Sequence, residues 1–222
     1  MGFTMSSDSL LCSEKVNDVF ANRRSTALVL PSADLKILHA AQNLSGCFIA
    51  GGAALAIYNG EFKFLKDWDL FFSSFGSYNR AYNKFLDMGY KEVSHSNFGK
   101  MLELKSYGDG KSSKVNLIDW FFPNKVEEIF NSFDFSVCCF AIVGDTLFYT
   151  KQAKKDEKDK LLNIVHLKKE NIVLTFKRIA RYGIKGYVPS NEFVLKFEEF
   201  FKERKISKSD LTLYVAQGGC GS

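Results

Sequence analysis

Asp67 and Asp69, separated only by Trp68, and a third aspartate, Asp119, between Ile118 and Trp120, are the residues of this chain best suited to chemistry. In an extended strand alternate side chains share a face, so Asp67 and Asp69 present two carboxylates side by side. Like charges held together raise at least one carboxyl pKa unless a cation neutralises them. Carboxylate oxygens suit hard cations such as Mg²⁺ or Mn²⁺. A third carboxylate from a neighbouring strand lets two such ions sit about 3.5–4 Å apart and clamp the attacking and leaving oxygens of a phosphoryl transfer. Asp67, Asp69 and Asp119 are therefore expected to be both metal ligands and catalytic carboxylates, with an NTP as substrate.

A triphosphate needs a cradle, and Gly51-Gly52 has the character of one. Residues 47–50 form a short apolar run that ends in the two glycines; residues 53–57 then read as a helix, stopped by Asn59-Gly60. At a strand, glycine turn, helix junction the backbone can approach a phosphate closely, and the first helical N–H groups point at it.

The other elements must bring these parts together. A first helix is expected to start at Pro31-Ser32, a strand over 65–72, an amphipathic helix over 78–88, and strands over 90–93, 101–105 and 115–121. A short helix follows Pro123, and residues 133–142 and 147–150 read as a hairpin about Gly144-Asp145. From Lys151 the composition turns basic, with apolar residues at helical spacing through 172–184 and 193–201. The expected organisation is an arm over 1–30, a catalytic domain over 31–150 and a basic helical appendage over 151–222. The fold class is α/β (α+β), a mixed sheet with flanking helices.

Composition narrows the function classes. Of 222 residues 46% are hydrophobic and 25% charged, which excludes a disordered or fibrous chain. The net charge of +5 is compatible with a phosphate-bearing ligand without requiring one. Most of the 22 Phe and 9 Tyr belong in a core, although aromatic rings also stack on bases. The five cysteines show no C-x-x-C spacing, which argues against a zinc site or redox pair and for a reducing, cytoplasmic setting. No apolar run of about 18 residues exists, so no membrane partner is expected.

The run F-I-A-G-G-A-A-L-A-I-Y, followed by K-D-W-D-L-F-F, resembles the signature of the polymerase β-like nucleotidyltransferase superfamily, and most closely the head of CCA-adding enzymes and bacterial poly(A) polymerases. Three further segments match in order. Asn97-Phe98-Gly99 resembles the F-G-T segment, residues 115–120 the third-carboxylate strand, and Ser132-Phe133-Asp134-Phe135-Ser136 the R-D-F-T motif. The helix carrying Phe176, Lys177, Arg178 and Arg181 resembles the L-R-x-x-R-F helix that follows.

The resemblance implies metal binding by Asp67 and Asp69, a catalytic carboxylate at Asp119, ribose recognition by Asp134 and triphosphate contacts from Arg178 and Arg181. Lys66, beside Asp67, joins Gly51 and Gly52 as a further nucleotide contact. The chain departs from the pattern at Leu55-Ala56-Ile57, where an Arg-Asp pair is usual, and at Phe133, which stands for an arginine. No base-selecting E-D-x-x-R motif is found.

The expected function is transfer of a nucleoside monophosphate from an NTP to an RNA acceptor such as a tRNA 3′ end. A compact toxin-like or regulatory enzyme that modifies tRNA or protein is the alternative. A catalytically silent nucleotide- or RNA-binding module on the same fold is the reading from another class.

Overall fold

A computed structural model describes residues 11–22, 32–62, 65–105, 112–168 and 172–204. Its centre is an eight-stranded sheet of β1 (Leu11–Lys15), β2 (Cys47–Ala50), β3 (Trp68–Phe72), β4 (Lys91–Ser96), β5 (Gly99–Lys105), β6 (Ser112–Ile118), β7 (Phe140–Val143) and β8 (Thr146–Thr150). The spatial order is β1-β8-β7-β2-β3-β6-β5-β4. Only β3 and β6 run parallel within it, with Trp68 opposite Val115, Asp69 opposite Asn116 and Leu70 opposite Leu117. The architecture is the mixed α/β sheet with flanking helices expected from the sequence.

The alternation in β3 decides what faces the chemistry. Trp68, Leu70 and Phe72 are buried against α2 (Ser32–Gln42) and α4 (Phe75–Asp87). Trp68 Nε1 donates to Asp34 Oδ1 at 2.8 Å, and the Phe72 ring meets Tyr78 edge-on at 5.6 Å. A period of two then turns Asp69 and Phe71 to the opposite face. The strand starts at Trp68, three residues later than expected, so Asp67 lies in the segment leading into it.

Residues 133–142 do not form one strand. Ser136–Cys138 closes as a 3₁₀ turn, and only Phe140–Val143 joins the sheet. The reason is polar: the Ser136 N–H donates to the Asn163 carbonyl and its hydroxyl to the buried Asp156, so this stretch is drawn away from its neighbours in the sheet. At the other end, residues 11–15 of the segment expected as an arm pair with β8 as an edge strand, and Val16 and Val19 of α1 (Val16–Asn22) enter the core.

The lysine-rich stretch is α6 (Lys151–Asp159), whose inward face is not basic. Ala153, Asp156 and Glu157 are buried while the lysines point outward. A second apolar cluster of Phe135, Val137, Leu162, Ile164, Tyr182, Tyr187 and Phe193 then joins the sheet domain to α7 (Ile172–Ile184) and α8 (Asn191–Arg204). Asp156 accepts from Ser136, Gln152 and Asn163, and Glu157 accepts from Asn59, Lys160 and Tyr187. Among the described residues no helix is long and apolar enough to cross a membrane.

Gly99 begins β5 at φ +146°, and a Cβ there would stand 2.1 Å from the Leu117 carbonyl oxygen. Both the backbone angle and the neighbouring strand demand glycine. Gly99→Ala is expected to lower stability by about 2–4 kcal/mol, as for a residue forced against rigid backbone. Chemical denaturation checks this, and a change below about 0.5 kcal/mol would mean that β5 and β6 separate easily.

Candidate active site

One cleft of about 570 Å³ gathers Gly51, Gly52, Lys66, Asp67, Asp69, Asp134, Arg178 and Arg181. Its floor is the exposed face of β3 and β6, and its far wall is α7.

Gly51 caps α3 (Gly52–Asn59) with φ +68° and ψ −129°, a conformation that side chains disfavour. A Cβ on Gly51 would lie 3.5 Å from the Phe133 ring and 3.9 Å from Asp69 Oδ2, so the turn passes directly beside the carboxylate. The first intrahelical bond runs from Leu55 N–H to the Gly51 carbonyl. The N–H groups of residues 52–54 thus lack helical acceptors, at the end of α3 whose Gly51 and Gly52 line the cleft.

Asp69 is partly buried, and Asn116 Nδ2 donates to its Oδ1 at 2.9 Å. Burial, followed by the charge of Asp67, pushes its pKa up to about 6; the Asn116 hydrogen bond and the charges of Arg178 and Arg181 pull the other way. A positive charge beside this carboxyl would favour its ionised form.

Because the folded pKa of Asp69 exceeds that of the unfolded chain, the fold holds this proton more tightly, and stability falls as pH rises through about 4 to 6. Above that window the penalty is full, at most about 3 kcal/mol for two units and less with partial exposure. Asp69→Asn is therefore expected to unfold several °C higher than the parent at pH 8 in a chelator, and at the same temperature at pH 4. Mg²⁺ should raise the parent's midpoint and leave the variant's nearly unchanged. Equal midpoints for both proteins at pH 8 would sink the argument.

Asp119 does not reach the pair. The register sets Asn116 beside Asp69, and Asn116, Ile118 and Trp120 share the cleft face. Asp119 has the other parity and lies toward α4, where it helps to raise the Tyr78 pKa after burial has done most of the work. The expected three-carboxylate cluster is thus not assembled, and among the described residues no three His, Cys, Asp or Glu side chains form a metal-sized group. A hard cation in this cleft would be held by Asp67 and Asp69, whose oxygens suit such an ion. Asn116 is the residue that sequence reasoning missed. Its signal was a lone polar side chain among Val115, Leu117 and Ile118.

Asp134 is nearly buried, and its Oδ2 accepts from Thr175 Oγ1 at 2.8 Å and from Arg178 Nη1 at 2.7 Å. Burial weighs against the Arg178 charge, but the Asp134 carboxylate outweighs it and raises the arginine pKa. The visible work of Asp134 is to aim Arg178 at the cleft. Lys160, Lys168 and Lys185 also line the cavity, and burial lowers the Lys185 pKa. Cys138 lines it as well, but burial pushes its thiol up to about 11, so it stays protonated at neutral pH and is no nucleophile.

Known proteins place this architecture. A family model described as "Gad2: Gabija anti-defense 2 family protein" matches residues 13–160, about two thirds of the chain. No curated protein sequence matches it. The CCA-adding enzyme of Thermotoga maritima, complexed with tRNA, is similar over 86% of this chain and 46% of its own, with TM-score 0.57 and 14% identity. A CCA-adding enzyme in complex with CTP is similar over 91% of this chain and 49% of its own, with TM-score 0.57 and 14% identity. Another, in complex with ATP, matches over 86% and 47%, with TM-score 0.56 and 15% identity. The chain spans about half the length of these enzymes, and the likeness is one of fold.

Proposed function

The chain belongs to the Gabija anti-defense 2 family, and from that premise we propose that it is a divalent-metal-dependent nucleotidyltransferase that moves a nucleoside monophosphate from an NTP onto an RNA acceptor. The observation that carries this is the convergence of Asp67 and Asp69 with the glycine-capped N-terminus of α3 on one side and Arg178 and Arg181 on the other. Two carboxylates would repel an NTP, so their presence among six cleft cations and a phosphate cradle calls for a bound cation beside them. A cation there would draw charge from the α-phosphate and the attacking oxygen.

The chain's own residues divide the remaining work. The free N–H groups of α3 hold the phosphate tail, and Gly51 permits its close approach. Arg178, aimed by Asp134, and Arg181, one turn further on α7, face it from across the cleft. The strands and α3 would provide carboxylates and cradle, and α7 would provide the arginines. The family's name speaks of countering Gabija defence, and nucleotide transfer onto a component that such a defence needs is how this site would serve that end.

A second reading has its own observation. Asn116 is neutral where the register would seat a third carboxylate, which suits a module that binds a nucleotide without transferring it. The test incubates the protein with each α-phosphate-labelled NTP, Mg²⁺ or Mn²⁺, and either total RNA or cell lysate. Label that moves to RNA supports the proposal. Label that moves only to protein selects the other acceptor class, and bound NTP with no transfer selects the silent module.

A further inference from the structure

Trp120 and Phe98 are 44% and 53% exposed, yet both line the cleft rather than the open surface. We propose that they form a stacking platform for the terminal base of a single-stranded nucleic-acid acceptor, an inference that rests on reading the cleft as a site of NTP transfer.

The sheet order supplies the direction. β2, with Gly51 at its end, lies on one side of β3, and β6 and β5 lie on the other. In phosphoryl transfer the attacking and leaving oxygens stand roughly in line on opposite sides of phosphorus. With the phosphate tail at Gly51 and the carboxylates central, the attacker enters from the β6–β5 side. That side carries Ile118, Met101, Trp120 and Phe98, an apolar and aromatic wall with no carboxylate on the cleft face of β6.

The wall is also built to hold a ring. Trp120 packs on Phe121 with centroids 4.4 Å apart, and Phe121 meets Phe71 edge-on at 5.9 Å, which ties the platform to the strand that bears Asp69. Lys168 Nζ lies 5.6 Å from the Trp120 ring, and among the described residues it makes no ion pair. An aromatic face beside an uncommitted cation matches a base attached to its phosphate. Gly99, which only glycine can occupy, fixes the turn that presents Phe98.

The chain has two tryptophans, and Trp68 is buried and bonded to Asp34, so Trp120 reports alone on ligands at the platform. The experiment titrates short single-stranded oligoribonucleotides into the full chain without NTP and follows tryptophan emission. Saturable quenching is expected, absent in Trp120→Leu, with Phe98→Ser weakening binding about tenfold, the low-to-middle range for loss of one base stack. Both residues are exposed, and circular dichroism with unfolding midpoints confirms that the variants stay folded.

Equal quenching by free NTP, or none by any oligonucleotide, would overturn the platform. Asp69→Asn separates the two ideas, because quenching should survive in it while transfer is lost. Transfer to protein without oligonucleotide quenching leaves the enzyme standing and removes the platform; quenching without any transfer does the reverse.

Discussion

Asp69→Asn should reduce nucleotide transfer by roughly three orders of magnitude or more, while the protein keeps its fold and gains stability. Charge stabilisation by a metal ion contributes several kcal/mol to a phosphoryl transfer, and about 4 kcal/mol corresponds to a thousandfold in rate. Asp69 is the carboxylate fixed by the sheet: its backbone pairs with Ala50 and Asn116, and its Oδ1 accepts from Asn116 at 2.9 Å. Asn keeps the shape and can still accept from Asn116, so lost transfer would report lost charge. Asp67→Asn should fall comparably, and the double variant little further, because the two act as one site. Asp119→Asn is the informative control. Lying toward α4, it should transfer within about threefold of the parent, although the sequence ranks it with the other two. A collapse in Asp119→Asn would mean that the end of β6 rearranges when substrate binds.

The second large effect concerns the seam between the sheet and its helices. Asp156 is 0% exposed and accepts from Ser136, Gln152 and Asn163, which tie α6, the 3₁₀ turn and the segment after β9 (Leu161–Leu162) into one network. Asp156→Ala strands the buried donors of Ser136 and Asn163 and leaves a void. The expected loss is about 3 kcal/mol or more, a large fraction of an ordinary domain's stability. Because the same network seats Phe135, next to Asp134, the arginine wall should loosen with it. Urea unfolding gives the energy, and the concentration of NTP needed for half-maximal transfer should rise. A loss below 1 kcal/mol would show that water replaces the carboxylate without strain.

Much of the site can be read from the chain itself because its parts are local. In extended chain the alternation Asp67-Trp68-Asp69 puts both carboxylates on one side, even though β3 itself starts only at Trp68, and Gly51-Gly52 after an apolar run makes a tight turn whatever packs above it. The three-residue spacing of Arg178 and Arg181 likewise sets them on one helical face. These are properties of neighbouring residues; they suffice to indicate the fold class, and the class of chemistry proposed above rests on them.

What lies between distant strands is a different matter. Whether Asn116 or Asp119 stands beside Asp69 depends on the β3–β6 register, and a shift of one residue exchanges the two faces. No local pattern in residues 112–119 fixes that register; the burial of Leu117 against the helices does. Nor could composition show that the basic stretch 151–160 turns two acids inward, since their partners Asn59, Ser136, Asn163 and Tyr187 come from four separate segments. The chain by itself determined two paired carboxylates, a glycine cradle and the sheet that carries them. The tertiary structure alone decided which third side chain meets them, what aims the arginines and which aromatic rings stay open to solvent, because each depends on contacts that packing creates between distant segments.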